Sequence, residues 1–266
     1  MDLNVTERPL AVRPFESGVM ILVIHRPDAL NALNTELAVV LERTLRELAS
    51  DRAARVVVLT GSGDRAFCAG ADLKERRGMS ADQWRTQHDR FEAAFHALRD
   101  FPKPVFAAVN GVALGGGCEL ALNTDFIVAS DTARFGQPEV KLGIIPGGGG
   151  TQHLPRRMPA GLARQLLMTG ESIDADAALR SGLVNSVHAG DALLGEAVRI
   201  ATAIAANSPA AIREVRSAVR AGASLAIGPA MDVELDHYAR LVDHPDRYEG
   251  IAAFNERRAP RFQDPE

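Results

Sequence analysis

Four short apolar runs, at residues 19–24, 56–60, 105–109 and 126–129, stand out from the more polar sequence around them. Turn-forming residues follow the second and third runs, as Gly61-Ser62-Gly63 and Asn110-Gly111. Unbroken apolar runs of this length are typical of strands that are buried on both faces of a sheet. The pattern therefore predicts four buried strands.

The segments between these runs carry apolar residues at helical spacing. Residues 35–49 place them along one face, and Thr35 is the predicted cap of this helix. Residues 81–98 form a second predicted helix, and three glycines precede a short third one at residues 118–123. Strands that alternate with helices predict an α/β core with a parallel-type sheet.

The strand pattern ends near residue 190, and the remaining chain is predicted to be helical. Ser208 is a suitable cap, and Pro209 occupies the first helical position, which proline favours. We therefore divide the chain into an α/β core with the active site, residues 1–195, and a helical C-terminal region, residues 196–266, that packs on another subunit. The helices predicted in this region cover residues 192–206, 209–221, 229–241 and 245–255.

Composition and charge narrow the class of protein. The 266 residues carry a formal net charge of -4, whereas nucleic-acid binders usually have a strong basic excess, so we expect no nucleic-acid partner. No apolar run reaches the roughly 18 residues of a membrane span, and the first 14 residues lack the apolar segment of a signal peptide. These features predict a soluble, cytoplasmic protein. Neither the two cysteines nor the seven histidines show metal-ligand spacing, so no metal site is predicted.

Two glycine-containing turns are the first candidates for chemistry. One is Ala66-Phe67-Cys68-Ala69-Gly70-Ala71-Asp72-Leu73, and the other runs from Asn110 through Gly115-Gly116-Gly117 to Glu119. Glycine lets backbone N–H groups approach a ligand, and a helix N-terminus leaves such donors unpaired. Two of these groups at one point would stabilise an oxyanion. Each turn by itself is weak evidence, because three glycines before a helix more often serve tight packing than an oxyanion hole.

Two carboxylates form the second candidate feature. Glu119 lies at the start of the short helix, and Glu139 follows 20 positions later in Phe135-Gly136-Gln137-Pro138-Glu139. Two carboxylates around one water act as general base and general acid, and their repulsion helps one of them to hold a proton. Spacing leaves a plainer interpretation open, in which Glu119 stabilises a helix N-terminus and Glu139 is a solvated loop residue.

The order and spacing of several motifs over nearly the whole chain resemble the crotonase family of enoyl-CoA hydratases and isomerases. The matching segments include Arg26-Pro27, Asn31-Ala32-Leu33-Asn34, Phe67-Cys68-Ala69-Gly70-Ala71-Asp72-Leu73, Ala113-Leu114-Gly115-Gly116-Gly117-Cys118-Glu119-Leu120, Phe135-Gly136-Gln137-Pro138-Glu139, and residues 142–152. We interpret the four glycines at 147–150 as a structural turn of the family, since they lack the GKS or GKT ending of a phosphate loop.

This resemblance implies a crotonase-like spiral of ββα units with a helical C-terminal region, assembled as a trimer or a hexamer of paired trimers. It implies that Ala71 and Gly116 donate backbone N–H groups to the thioester oxygen, that Glu119 deprotonates water, and that Glu139 exchanges the proton at Cα. The acyl-CoA thioester is the implied substrate, with CoA as part of it and no further cofactor. The residues that the resemblance implies for substrate binding are Ala69, Asp72, Leu73, Lys74, Leu114 and Gly115.

Within this fold the leading function is syn hydration of a 2-trans-enoyl-CoA to a 3-hydroxyacyl-CoA. An isomerase needs only one well-placed carboxylate, so the presence of both Glu119 and Glu139 favours hydration. A hydratase-lyase on the same fold, or a non-catalytic relative that binds CoA or RNA, remains an alternative.

Overall fold

The computed structural model describes residues 9–263, which form ten strands and eleven α-helices. Part of the charged N-terminal stretch considered above, residues 1–8, lies outside the described residues. No helix within residues 9–263 is long and apolar enough to cross a membrane.

A six-stranded sheet contains all four predicted strands. Its order is β1-β2-β3-β5-β7-β10, and every neighbouring pair is parallel except β1 and β2. The outer strands β1 and β10 were not predicted. The strands of this sheet are β1 (Leu10–Pro14), β2 (Val19–Ile24), β3 (Val56–Gly61), β5 (Val105–Val109), β7 (Ile127–Ser130) and β10 (Ser186–His188).

A second sheet of four short strands carries the two glycine turns. Its order is β4 (Ala66–Cys68), β6 (Val112–Leu114), β8 (Arg134–Gly136) and β9 (Ser172–Asp174), with three residues in each strand. Because β4 and β6 are parallel neighbours, their carboxyl ends lie side by side. The chain leaves these two ends through Gly70 and Gly115, so the fold itself brings the two turns together.

Seven of the eleven helices agree with the predicted ones within a few residues, with two corrections, and the second, fifth, sixth and seventh helices along the chain were not predicted. The side chain of Asn34, and not Thr35, caps the first helix by accepting a hydrogen bond from the Leu37 amide. The short fourth helix begins at Gly116 and not at Cys118. The helices are α1 (Thr35–Ser50), α2 (Leu73–Arg76), α3 (Ala81–Arg99), α4 (Gly116–Leu122), α5 (Gly150–Arg157), α6 (Ala160–Thr169), α7 (Ala175–Arg180), α8 (Leu193–Ala205), α9 (Pro209–Gly222), α10 (Ile227–Ala239) and α11 (Pro245–Glu256).

Apolar packing covers both faces of the large sheet. One face packs against α1, α3 and α4, and the other is covered by the small residues of α8. The predicted division between residues 195 and 196 falls inside α8, whose buried face belongs to the core. A division between core and C-terminal region therefore fits best after this helix, before the cap residue Ser208. The buried residues of α8 in this layer are Leu193, Ala197, Ala201 and Ala205, and the partly buried Leu194, Val198, Ile200 and Ile204 also pack against it.

Candidate active site

The backbone amides of Ala71 and Gly116 lie beside each other where β4 and β6 end. A Cβ placed on Gly116 would sit 3.9 Å from the Ala71 nitrogen, and one placed on Gly70 would sit 3.8 Å from the Gly116 nitrogen. Neither amide donates a hydrogen bond to another atom within residues 9–263. The neighbouring amide of Asp72 is paired with the carbonyl of Leu33, which fixes the first turn. Two unpaired donors thus share one location.

Glycine is required where these turns approach each other and the carboxylates. Gly70 has a φ of 102°, and a Cβ there would come within 2.9 Å of the Leu114 carbonyl oxygen. Gly115 has a φ of 51°, and its Cβ would come within 2.9 Å of Oε1 of Glu139. Side chains are strained at positive φ and would also clash at these distances. The turn chemistry that sequence analysis emphasised therefore has a steric basis.

Glu119 projects from α4 and is held by a turn that is distant in sequence. Its Oε1 accepts hydrogen bonds from the amides of Gly148 at 2.7 Å and Gly150 at 2.8 Å. Asn123 fixes this turn, because its side chain donates to the carbonyl of Gly148 at 2.7 Å. The carboxylate is only 3% exposed, and its burial raises its pKa above the usual value although the backbone donors oppose the shift.

Glu139 lies on a short 3-10 turn, Pro138–Leu142, and is 8% exposed. Burial raises its pKa to about 7; its own backbone N–H opposes the shift, and the nearby charge of Glu119 adds to it. The side-chain amide of Gln137 is buried, and its oxygen and nitrogen both find suitable hydrogen-bond partners in one of its two orientations. In that orientation Nε2 of Gln137 donates to Oε1 of Glu139 at 2.9 Å and to Oε2 at 3.1 Å. Burial thus raises the pKa of both carboxyl groups, and that of Glu139 lies near neutral pH.

A single cavity of about 750 Å³ joins these groups. Seven of the ten predicted site residues line it: Ala69, Ala71, Leu73, Gly115, Gly116, Glu119 and Glu139. The cavity also has a hydrophobic wall that includes Phe91 and Phe95 of α3. Apolar walls with a few convergent polar groups are typical of small-molecule sites.

Asp72, Lys74 and Leu114 do not line this cavity. Asp72 instead caps α2 and accepts a hydrogen bond from Arg26 at 2.9 Å. Burial disfavours its charged form, but the bonds from Arg26 and from the α2 amides outweigh burial and hold the pKa of Asp72 below its usual value. The structure therefore gives Asp72 a structural contact, and substrate binding by these three residues stays a prediction.

A sequence model of the enoyl-CoA hydratase/isomerase family matches residues 14–265. The chain belongs to this family. It is 42% identical to a crotonyl-CoA hydratase of Syntrophomonas wolfei, over 93% of this chain and 95% of that protein. It is 41% identical to a short-chain-enoyl-CoA hydratase of Clostridium acetobutylicum, over 91% of this chain and 93% of that protein. The crystal structure of an enoyl-CoA hydratase from Bacillus anthracis matches with a TM-score of 0.94 and 38% identity, over 96% and 99% of the two chains.

Membership of the enoyl-CoA hydratase/isomerase family confirms the predicted crotonase-like fold. Two features of the site were nevertheless missed in the sequence. The glycines at 147–150 were interpreted as structural, but the amides of Gly148 and Gly150 are direct partners of Glu119. Four consecutive glycines immediately before a helix were the available signal, since such a segment exposes several amides. Arg76, which also lines the cavity, had no recognisable motif.

Proposed function

We propose that this chain is an enoyl-CoA hydratase that adds water syn across the double bond of a 2-trans-enoyl-CoA, with Glu119 and Glu139 as its acid–base pair. The observation that carries this assignment is the shared cavity, onto which two buried carboxylates and two unpaired backbone amides open together. The hydratase names of the relatives at about 42% identity support the same reaction.

The amides of Ala71 and Gly116 form the oxyanion hole. Attack of water at Cβ moves electron density through the conjugated system onto the thioester oxygen, which gives an enolate-like intermediate. Fixed donors that point at this oxygen stabilise its charge as it forms, and loss of one such donor typically lowers the rate by about 10²–10³. The two amides are suited to this task because no protein acceptor within residues 9–263 competes for them.

The two carboxylates divide the proton transfers. Glu119 orients the water and removes one of its protons while the oxygen forms the bond to Cβ. Glu139, whose pKa is about 7, delivers a proton to Cα on the same face. The hydrogen bonds from Gly148 and Gly150 favour the charged form of Glu119, as a base requires.

We also propose that CoA takes part only as a portion of the substrate, with no metal or redox cofactor. Hydration transfers no electrons to an external acceptor, and the amides supply the charge stabilisation that a Lewis acid would otherwise provide. No group of three or more His, Cys, Asp or Glu side chains suited to a metal ion occurs within residues 9–263. Ala69 and Leu73, which line the same cavity, are assigned to acyl-CoA contacts.

We also propose that the protein forms a homotrimer or homohexamer and acts in the cytoplasm. Helices α9 and α10 pack on each other and leave an apolar face in solvent, which favours burial against another subunit. The exposed apolar side chains of this face are Val215, Val219, Ile227, Met231, Leu235 and Tyr238. Light scattering on the purified chain measures this state directly, and a monomer at micromolar concentration would contradict it.

A direct assay tests the reaction. The purified protein should consume crotonyl-CoA, which is followed by loss of the enoyl-thioester absorbance. Glu119→Gln and Glu139→Gln should each lower kcat by about 10²–10⁴, as expected when a general acid or base is removed. Glu171→Gln, which changes an exposed carboxylate outside the cavity, is the matched control and should retain activity.

The outcomes separate the alternatives. Near-full activity of either glutamine variant would refute the role given to that residue. Conversion of 3-enoyl-CoA without hydration of 2-enoyl-CoA would identify an isomerase. Carbon–carbon cleavage after hydration would identify a hydratase-lyase. Binding of CoA esters or RNA with no turnover of short, medium or branched enoyl-CoAs would identify a non-catalytic relative.

A further inference from the structure

The cavity contains a cation that the hydration mechanism does not use. Arg76, the last residue of α2, lines the cavity and is partly buried. Its Cζ lies 4.1 Å from the centre of the Trp84 ring and 5.2 Å from that of Phe91. The planar guanidinium is therefore held against two aromatic faces on α3, a favourable arrangement for a cation.

The buried side-chain amide of Gln87 holds Arg76 in place through a hydrogen bond. Nε of Arg76 donates to Oε1 of Gln87 at 2.8 Å, and Nε2 of Gln87 donates to Thr35 at 3.0 Å and to Glu75 at 2.6 Å. Glu75, the nearest carboxylate along the chain, is thus engaged with Gln87 and with the Thr35 amide. The terminal nitrogens of Arg76 have no hydrogen-bond or ion-pair partner within residues 9–263.

Arg76 lies on the part of the cavity wall that α3 forms, at a distance from the proposed oxyanion hole. The Phe95 ring lies 3.7 Å from the position of a Cβ on Gly116, next to the proposed oxyanion hole. Phe91 precedes Phe95 by one helical turn, about 6 Å along the axis. Arg76 packs on Phe91, so two aromatic rings separate its charge from the thioester carbonyl. A short acyl chain that follows this wall ends beside the guanidinium.

Three other ionisable groups of α3 line this part of the cavity, namely Arg85, His88 and Asp89, and Asp89 is exposed to solvent. Arg85 is paired with Asp82 at 2.8 Å, and its side chain is 72% exposed, so solvent screens it. Burial lowers the pKa of Arg76 although Glu75 opposes the shift, yet a guanidinium stays protonated at neutral pH. Of the two arginines that line this wall, Arg76 is thus the less solvated.

We infer that Arg76 binds a carboxylate at the distal end of the acyl chain, so that the preferred substrates are 2-enoyl-CoA thioesters that end in a carboxylate. A carboxylate forms two parallel hydrogen bonds with the free terminal nitrogens of a guanidinium, which a methyl end does not form. An alkyl chain would instead cover the cation with apolar atoms and leave its donors unpaired, which is costly. This assignment rests on the hydratase function proposed above.

The test compares matched substrates of about five to seven acyl carbons, one ending in a methyl group and the other in a carboxylate. The intact chain should have a higher kcat/KM for the carboxylate substrate, by about tenfold or more, as expected for a hydrogen-bonded charge. Arg76→Met should lower the ratio of kcat/KM for the carboxylate substrate to kcat/KM for the methyl-ended substrate by about tenfold to a hundredfold. This expectation holds whether the activity on the methyl-ended substrate rises or falls. Arg76→Lys, which keeps the charge but loses the planar fork, should retain part of the preference.

Arg85→Met is the matched control, because it removes a second cavity arginine that is exposed and already paired; the substrate ratio should not change. Dissociation constants of the two saturated acyl-CoAs, measured by calorimetry, supply a readout that needs no turnover. If no enoyl-CoA is hydrated, the hydratase function fails, while these dissociation constants still decide the role of Arg76.

Two results would overturn the inference. One is an intact chain that binds and hydrates both substrates equally. The other is an Arg76→Met protein that loses affinity for both acyl-CoAs to the same extent, because Arg76 would then contact the common CoA portion or support the fold.

Discussion

Replacement of Gly148 by alanine tests how the site holds its base. Gly148 donates to Glu119 at 2.7 Å, and a Cβ at this position would lie 2.5 Å from Cε2 of Phe95. Ordinary contact begins near 3.4 Å, so the turn and the ring must separate by 3.4 − 2.5 = 0.9 Å. Phe95 is buried and also packs next to Gly116, so we expect the turn to yield.

The displacement determines the size of the effect. If Gly148 moves directly away from Glu119 by this amount, the nitrogen-to-oxygen distance becomes 2.7 + 0.9 = 3.6 Å, which is too long for a hydrogen bond. A hydrogen bond to a charged group contributes about 1.5–3 kcal/mol, so kcat/KM should fall about tenfold to a hundredfold. Overpacking should also lower the free energy of unfolding by about 1–3 kcal/mol.

Crotonyl-CoA hydration and urea unfolding measure the two effects separately. Gly161→Ala in α6 is the control, because a Cβ there meets no atom within 4 Å. It should leave activity unchanged and stabilise the helix by about 0.5–1 kcal/mol. A folded Gly148→Ala protein with full kcat/KM would show that this turn does not position Glu119.

Three further predictions concern protonation and capping. Hydration should slow as the pH rises above about 7, because Glu139 must hold a proton and its pKa is about 7. The pH dependence of kcat/KM measures this effect, and a value that rises through this range would contradict the role of Glu139. Glu119→Gln should lower the pKa of Glu139, measured by NMR titration, because a repelling charge is removed. Asn34→Ala should lower the free energy of unfolding by about 1 kcal/mol in urea, and Asn34→Asp should restore it; equal stability of all three would refute the cap.

Local sequence was sufficient for the central strands of the large sheet and for most of the long helices. The apolar run at residues 19–24 predicts a strand buried on both faces because no polar residue interrupts it, and Ser208 with Pro209 marks the start of α9 by local backbone chemistry. The second sheet was not predicted, because strands of three residues such as β6 and β8 are too short to show a period. Pairing with neighbours distant in sequence stabilises them.

The sequence alone also determined which residue types are available for chemistry. The two glycine turns and the pair Glu119 and Glu139 were recognisable because each motif is contiguous and resembles the family pattern. Their relative placement depends on the parallel pairing of β4 with β6, which brings the Ala71 and Gly116 amides together.

Only the tertiary structure determined the environment of each group. The amides of Gly148 and Gly150 reach Glu119 across about 30 residues of sequence, and Gln87 reaches Arg76 across 11. Burial of Glu139 beside another carboxylate raises its pKa, an effect that depends on the distance to that charge and on excluded water. Hydrogen bonding and desolvation depend on which groups are close in space. The sequence therefore specifies the chemical groups, but their hydrogen-bond partners, burial and pKa values depend on the tertiary structure.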